Sequence, residues 1–128
     1  MNVILSIKPV FANAILTGKK KVEFRKSIFK KDVEKVFIYS SSPVKKITGY
    51  FTINDIIKDS PQKLWEQFKE TAFINEAGFF NYFKDKETGF SICIDSINEF
   101  PMSIDPFEKL KNFVPPQSFR YCDDLTVL

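Results

Sequence analysis

Apolar and polar positions along this chain alternate between two periods, and the switches mark the elements. Val3-Ile4-Leu5-Ser6-Ile7 is a short run rich in branched side chains, the pattern of a buried strand. Pro9 suits a first helical turn, Val10, Phe11, Ala14, Ile15 and Leu16 recur at helical spacing, and Gly18 supplies a stop. A helix is therefore expected from Pro9 to Thr17. Lys21-Val22-Glu23-Phe24-Arg25 alternates as a half-buried strand does, with Val22 and Phe24 inward and Lys21, Glu23 and Arg25 on the other face. Asp32 to Lys35 reads as a polar turn, Lys35 to Tyr39 as a central strand, and Ser40 to Pro43 as a loop. Lys46 to Ile53 alternates again, and Gly49 within it suggests a bulge or a close backbone approach.

The second half carries more helix. Ser60 is a natural N-cap before Pro61, and Leu64, Trp65, Phe68 and Ala72 form the apolar stripe that follows. Glu76 to Phe83 predicts another helix, with Phe79, Phe80 and Phe83 on its core side. Thr88 to Ile97 reads as a long strand and Pro106 to Leu110 as a helical turn. Val114-Pro115-Pro116 must be extended, leading into a last strand over Gln117 to Tyr121, with loose residues after it. About six strands with few helices imply an α+β fold: a closed or nearly closed β-barrel with short helices at its ends. No repeat or linker divides residues 1–128, so one domain is expected.

Composition refines this picture in three ways. Fifteen phenylalanines exceed what one small core requires, so some are expected to line a pocket or stack on a flat ligand. No apolar run approaches the roughly 20 residues of a membrane-spanning helix, and Met1 to Ile7 lacks the features of a signal peptide. The two cysteines, Cys93 and Cys122, are read as reduced, with Cys93 an inert thiol in a buried strand; a cytoplasmic protein is expected. Histidine is absent, which removes Ser-His-Asp and Cys-His catalysis and, with so few cysteines, ordinary zinc sites. No metal, cofactor or membrane partner is expected.

Charge is unevenly distributed. Residues 19–35 hold eight Lys or Arg against three acidic residues, whereas the whole chain carries only a net +3. Such a patch attracts phosphate, although lysine-rich loops also serve solubility alone. The candidates within it are Lys20, Lys21 and Arg25 as cations and Glu23 as their orienter or as a hydrogen-bond acceptor for a ligand amine. Ser41, in the Ser40-Ser41-Ser42 run, and the rigidly presented Gln117-Ser118 pair are polar candidates, each with a plain turn or strand-capping alternative. Trp65 could stack on a base, but its spacing favours core packing. Glu76 is accounted for by the helix dipole.

Gly18-Lys19-Lys20-Lys21-Val22-Glu23-Phe24-Arg25 resembles the Gly-x-Lys-x-x-x-x-Arg signature of ASCH domains, in the PUA-like superfamily. Ser6-Ile7-Lys8-Pro9, Tyr39 to Val44 with Ile47-Thr48-Gly49, and Pro115 to Tyr121 are similar to other parts of that family, the last to a prokaryotic subgroup. The resemblance implies a β-barrel with a cleft beside the first helix, holding Gly18, Lys20 and Arg25. It implies RNA or nucleotide binding; joined to the reading of the residues, the expected ligand-facing set is Lys8, Lys20, Lys21, Glu23, Arg25, Ser41, Gln117 and Ser118. Some ASCH members are amidohydrolases of an acylated cytidine, using a lysine, a threonine three residues later and a distant glutamate. Lys20 matches the lysine, Glu23 stands at the threonine position, and Glu76 is the candidate for the distant acid. If the chain is catalytic, Lys20 and Glu23 are the expected pair. A protein-interaction adaptor using the basic patch is the third reading.

Overall fold

Proline and glycine frame the first unit as the pattern requires. In the computed structural model, which describes residues 1–123, β1 (Val3–Ile7) leads into α1 (Pro9–Leu16), with Pro9 opening the helix. Gly18 then adopts φ +79°, a left-handed conformation that glycine takes without a Cβ clash. Next come β2 (Val22–Arg25), β3 (Val36–Ser40) and β4 (Lys46–Asp59). α2 (Pro61–Phe68) and α3 (Glu76–Tyr82) follow, each with a side-chain cap: Ser60 accepts from the Lys63 amide and Asn75 from the Gly78 amide. β5 (Gly89–Ile104), α4 (Pro106–Lys109) and β6 (Phe119–Tyr121) complete the described chain. The residues expected to be loose at the end, 124–128, lie outside the described part. No described helix is long and apolar enough to cross a membrane.

The six strands form one sheet in the order β2-β5-β4-β3-β1-β6, curled into a half-barrel. β1 runs parallel to β3, and every other pairing is antiparallel. The sheet leaves β2 and β6 as its two edges, and the curl brings these edges close enough for side chains to bridge them. β4 and β5 are longer than their alternation predicts. Their pairing shifts register at Ile47/Gly49, Phe51/Ile53 and Ile53/Asp55, and each shift resets which face a residue occupies. Residues 95–99 are also exposed on both faces, so no apolar period marks them. Gly49 meets both expectations at once: it sits at a register shift, and a Cβ there would run into the Asn98 carbonyl and Leu16.

The buried apolar residues form three clusters rather than one core. Val3, Leu5 and Ile7 pack with Ala12 and Ile15 of α1 and with Val36 and Ile38. On the opposite face, Ile4, Phe37, Tyr39 and Ile47 meet Leu110 and Phe113. The third cluster fixes α2 and α3 to the β2 edge through Val22, Phe24, Leu64, Phe79 and Phe83. Phe79 is its hub, with ring centroids 4.8 Å from Phe24, 5.0 Å from Phe83 and 5.1 Å from Trp65. Trp65 thus packs in this cluster, as its helical spacing suggested.

Candidate functional site

The turn at Gly18 decides where Lys20 goes. The Lys19 and Lys20 amides both donate to the Ala14 carbonyl, and the Lys21 amide donates to Thr71, so the chain is clamped as it enters β2. The Lys20 side chain is driven inward and the residue is only 2% exposed. Its Nζ donates to the Ala72 carbonyl at 2.5 Å and lies 5.1 Å from the Phe11 ring centroid and 5.2 Å from that of Phe24. Glu23 Oε1 is 4.0 Å away. Burial pushes the Lys20 ammonium below the ordinary lysine range, and the Glu23 carboxylate works in the opposite direction without cancelling the shift.

Glu23 is also buried, at 6% exposure, which its predicted place on an open strand face did not anticipate. The reason lies in the curl of the sheet. Arg25, two residues on, donates from Nη1 to Glu23 Oε2 at 2.9 Å and from Nη2 to the Ser118 carbonyl at 2.9 Å, and both nitrogens reach the Ser6 carbonyl at 3.4 Å. One guanidinium therefore joins β2, at one edge, to β1 and to the segment leading into β6, at the other. Ser6 reinforces this closure: its hydroxyl donates to the Pro116 carbonyl and its amide to Ser118.

Above these residues opens a cleft of about 970 Å³. Lys8, Lys20, Glu23, Arg25, Ser41, Gln117 and Ser118 all line it. Lys21 does not: it is exposed, ahead of β2 and outside the cleft. Glu76 is exposed in the first turn of α3 and does not line it either. The basic stretch is not one patch. Lys31 lies over the Tyr121 ring and Lys35 over Tyr50, away from the cleft. Cys93, in β5, is half-buried rather than buried; neither cysteine is in a disulfide among the described residues, and burial raises the Cys93 thiol.

Sequence reasoning missed one wall of the cleft. α3 contributes Gly78, Phe79, Asn81 and Tyr82 to it, together with its cap Asn75 and the preceding Ile74, and Lys26 and Ser27, just after β2, stand at the rim. Lys26 Nζ sits 4.8 Å from the centre of the Tyr82 ring. Burial raises the Tyr82 phenol, although the Arg25 charge pulls it down. The phenylalanines of α3 were legible as core; its polar position Asn81 was the available signal for a second role. Among the described residues, no three His, Cys, Asp or Glu side chains gather as a metal site would require.

The family described as Domain of unknown function (DUF365) matches residues 1–119. An ASCH domain-containing ribonuclease of Zymomonas mobilis is 31% identical over 121 residues, covering 92% of this chain and 82% of that protein. The crystal structure of ASCH from Zymomonas mobilis superposes with a TM-score of 0.91 at 29% identity, covering 99% of this chain and 94% of the other. A point mutant of ZmASCH gives the same TM-score at 28% identity, with 98% and 94% covered.

Proposed function

The chain belongs to the ASCH domain family, and from that premise we propose that its cleft binds single-stranded RNA and cleaves the strand held there. The observation that carries this reading is the Lys20–Glu23 pair, buried at the floor of a cleft about 970 Å³ in volume. That volume lies at the upper end of the range for small-ligand sites, roughly 300–1,000 Å³, which suits an extended ligand. The ribonuclease named among the relatives supports the same substrate class.

RNA carries its own nucleophile. The 2′-hydroxyl attacks the adjacent phosphorus, the P–O5′ bond breaks, and a 2′,3′-cyclic phosphate and a 5′-hydroxyl result. The reaction needs an acceptor for the 2′-hydroxyl proton, a donor for the departing O5′, and positive charge beside the phosphorane. Arg25 holds Glu23 through Oε2, leaving Oε1 on the Lys20 side to accept the first proton. Lys20 is anchored by one N–H at the Ala72 carbonyl, which leaves two for phosphate oxygens or O5′. Its lowered pKa makes its ammonium a stronger acid than an ordinary lysine at the same pH. Amidohydrolysis of an acylated nucleoside has less support, because Glu23 replaces the threonine and Glu76 lies outside the cleft.

The test is incubation of the full chain with end-labelled single-stranded RNA at low salt. Wild type should bind and shorten the RNA, and Lys20→Ala should cut the rate by about 10²-fold or more. No binding and no cleavage by wild type, or equal cleavage by Lys20→Ala, sinks the reading.

A further inference from the structure

On the floor of the cleft, the charged groups and several polar ones already have intramolecular partners. Asn75 is taken up by the Gly78 amide at 2.7 Å, Ser6 by Pro116, and Arg25 by three oxygens. Two amide side chains differ. Asn81, on α3, and Gln117, before β6, are both exposed, both line the cleft, and neither makes a side-chain hydrogen bond among the described residues. They enter from different sides, Asn81 from the β2 side through the Phe24–Phe79 contact and Gln117 from the β6 side.

Both are displayed from fixed backbone. The Asn81 carbonyl accepts from the Lys84 amide at the end of α3. Gln117 follows Pro115-Pro116 and precedes Ser118, whose carbonyl is held by Arg25 and by the Ser6 amide. An amide offers a donor and an acceptor in one plane, which is the pattern of a base edge, and it offers no charge for a phosphate. Cations for phosphate stand separately: Lys26 is exposed at the rim, over Tyr82, and Lys8 on the opposite lip.

We infer that Asn81 and Gln117 are the specificity-determining residues of this site, reading the edge of one unstacked nucleobase, while Lys26 holds a neighbouring phosphate without regard to sequence. This rests on the RNA reading above and deepens it. RNA sequence is usually read on splayed single-stranded bases, and preorganised groups lose less freedom on binding. The inference predicts that base preference and overall affinity are set by different residues.

The experiment measures equilibrium binding of the full chain to four homopolymeric single-stranded RNA oligonucleotides at one low salt concentration, each 2′-O-methylated so that it lacks the 2′-hydroxyl nucleophile and stays intact. Wild type should bind them unequally. Asn81→Ala should shrink the ratio between best and worst by at least about fivefold, and Gln117→Ala should shrink it as well. Asn81→Asp keeps the shape, removes the donors, and should reorder the four. Lys26→Ala should weaken all four by a similar factor. Both amide positions are exposed, so melting temperatures should stay close to wild type. Equal affinities in wild type, or a ratio unchanged within about twofold in both alanine variants, overturns the inference while leaving RNA binding intact. Failure of wild type to bind any of the four overturns the RNA reading and this inference together.

Discussion

On the floor of the cleft, Lys20 and Glu23 are 2% and 6% exposed, and Arg25 ties Glu23 to the carbonyls of Ser6 and Ser118. On its rim, Lys8, Lys26, Asn81 and Gln117 stand in solvent. Both regions are polar, but their physics differs. A buried charge costs several kcal/mol unless paired, so the floor persists only as a bonded network with one geometry. An exposed side chain costs nothing to leave unpaired and remains available to a ligand. Most of the chain's family signature falls on the floor, where it sets geometry. The groups free to discriminate between ligands fall on the rim, outside the signature. Floor variants should therefore change chemistry and stability, and rim variants should change binding alone.

The largest effect should follow Lys20→Ala, which removes the floor cation and lowers the RNA cleavage rate by about 10²–10⁴-fold. Cleavage kinetics check it, and a fall confined to affinity would erase the distinction between floor and rim. Arg25→Met comes next. It leaves Glu23 buried beside only Lys20 and takes one donor each from the Ser6 and Ser118 carbonyls, so unfolding in denaturant should show a loss of about 3–5 kcal/mol. Arg25→Lys should recover little of this, because one ammonium cannot reproduce a guanidinium that reaches three oxygens. Lys26→Ala is smaller still. Its melting curve should match wild type, its RNA affinity should fall several-fold, and its slope of log affinity against log salt should flatten by about 1.

The smallest effect is in the pH dependence of stability. Lys20 loses its proton at lower pH in the folded chain than in the unfolded one. Between those two values the unfolded state binds more protons, so the Lys20 contribution makes stability rise with pH, up to the ordinary lysine value, and level off above it. Tyr39 and Tyr82, both raised by burial, act in the opposite sense at alkaline pH. Subtracting the profile of Lys20→Met cancels the tyrosines. A flat difference between wild type and that variant would mean the floor lysine titrates as if solvated.

Much of the fold was legible because its signals are local. Pro9, Gly18, Ser60 and Pro61 act within one turn of where they stand, and the observed helices begin and end beside them. The full extents of β4 and β5 were not legible, since register shifts break the alternation and the exposed stretch has no apolar period. Lys21 and Glu23 show the same divide. Period-two alternation put both on one open face with Arg25, yet Lys21 lies outside the cleft and Glu23 is buried within it. Alternation states which side of a strand a residue takes, not what the curled sheet brings over that side.

Local sequence sets the order of elements, the proline and glycine punctuation, the lysine that enters β2 after Gly18, and the resemblance of these features to ASCH domains. Each depends on neighbours a few residues apart. Tertiary structure alone decided that Arg25 would meet the Ser118 carbonyl 93 residues away, and that Lys20 would find the Ala72 carbonyl 52 residues away. It also decided that α3 would bring Asn81 to the same cleft as Gln117. Those contacts form only when the two edges of the half-barrel approach each other and the Phe79 cluster fixes α3 to β2, and no local pattern encodes that closure.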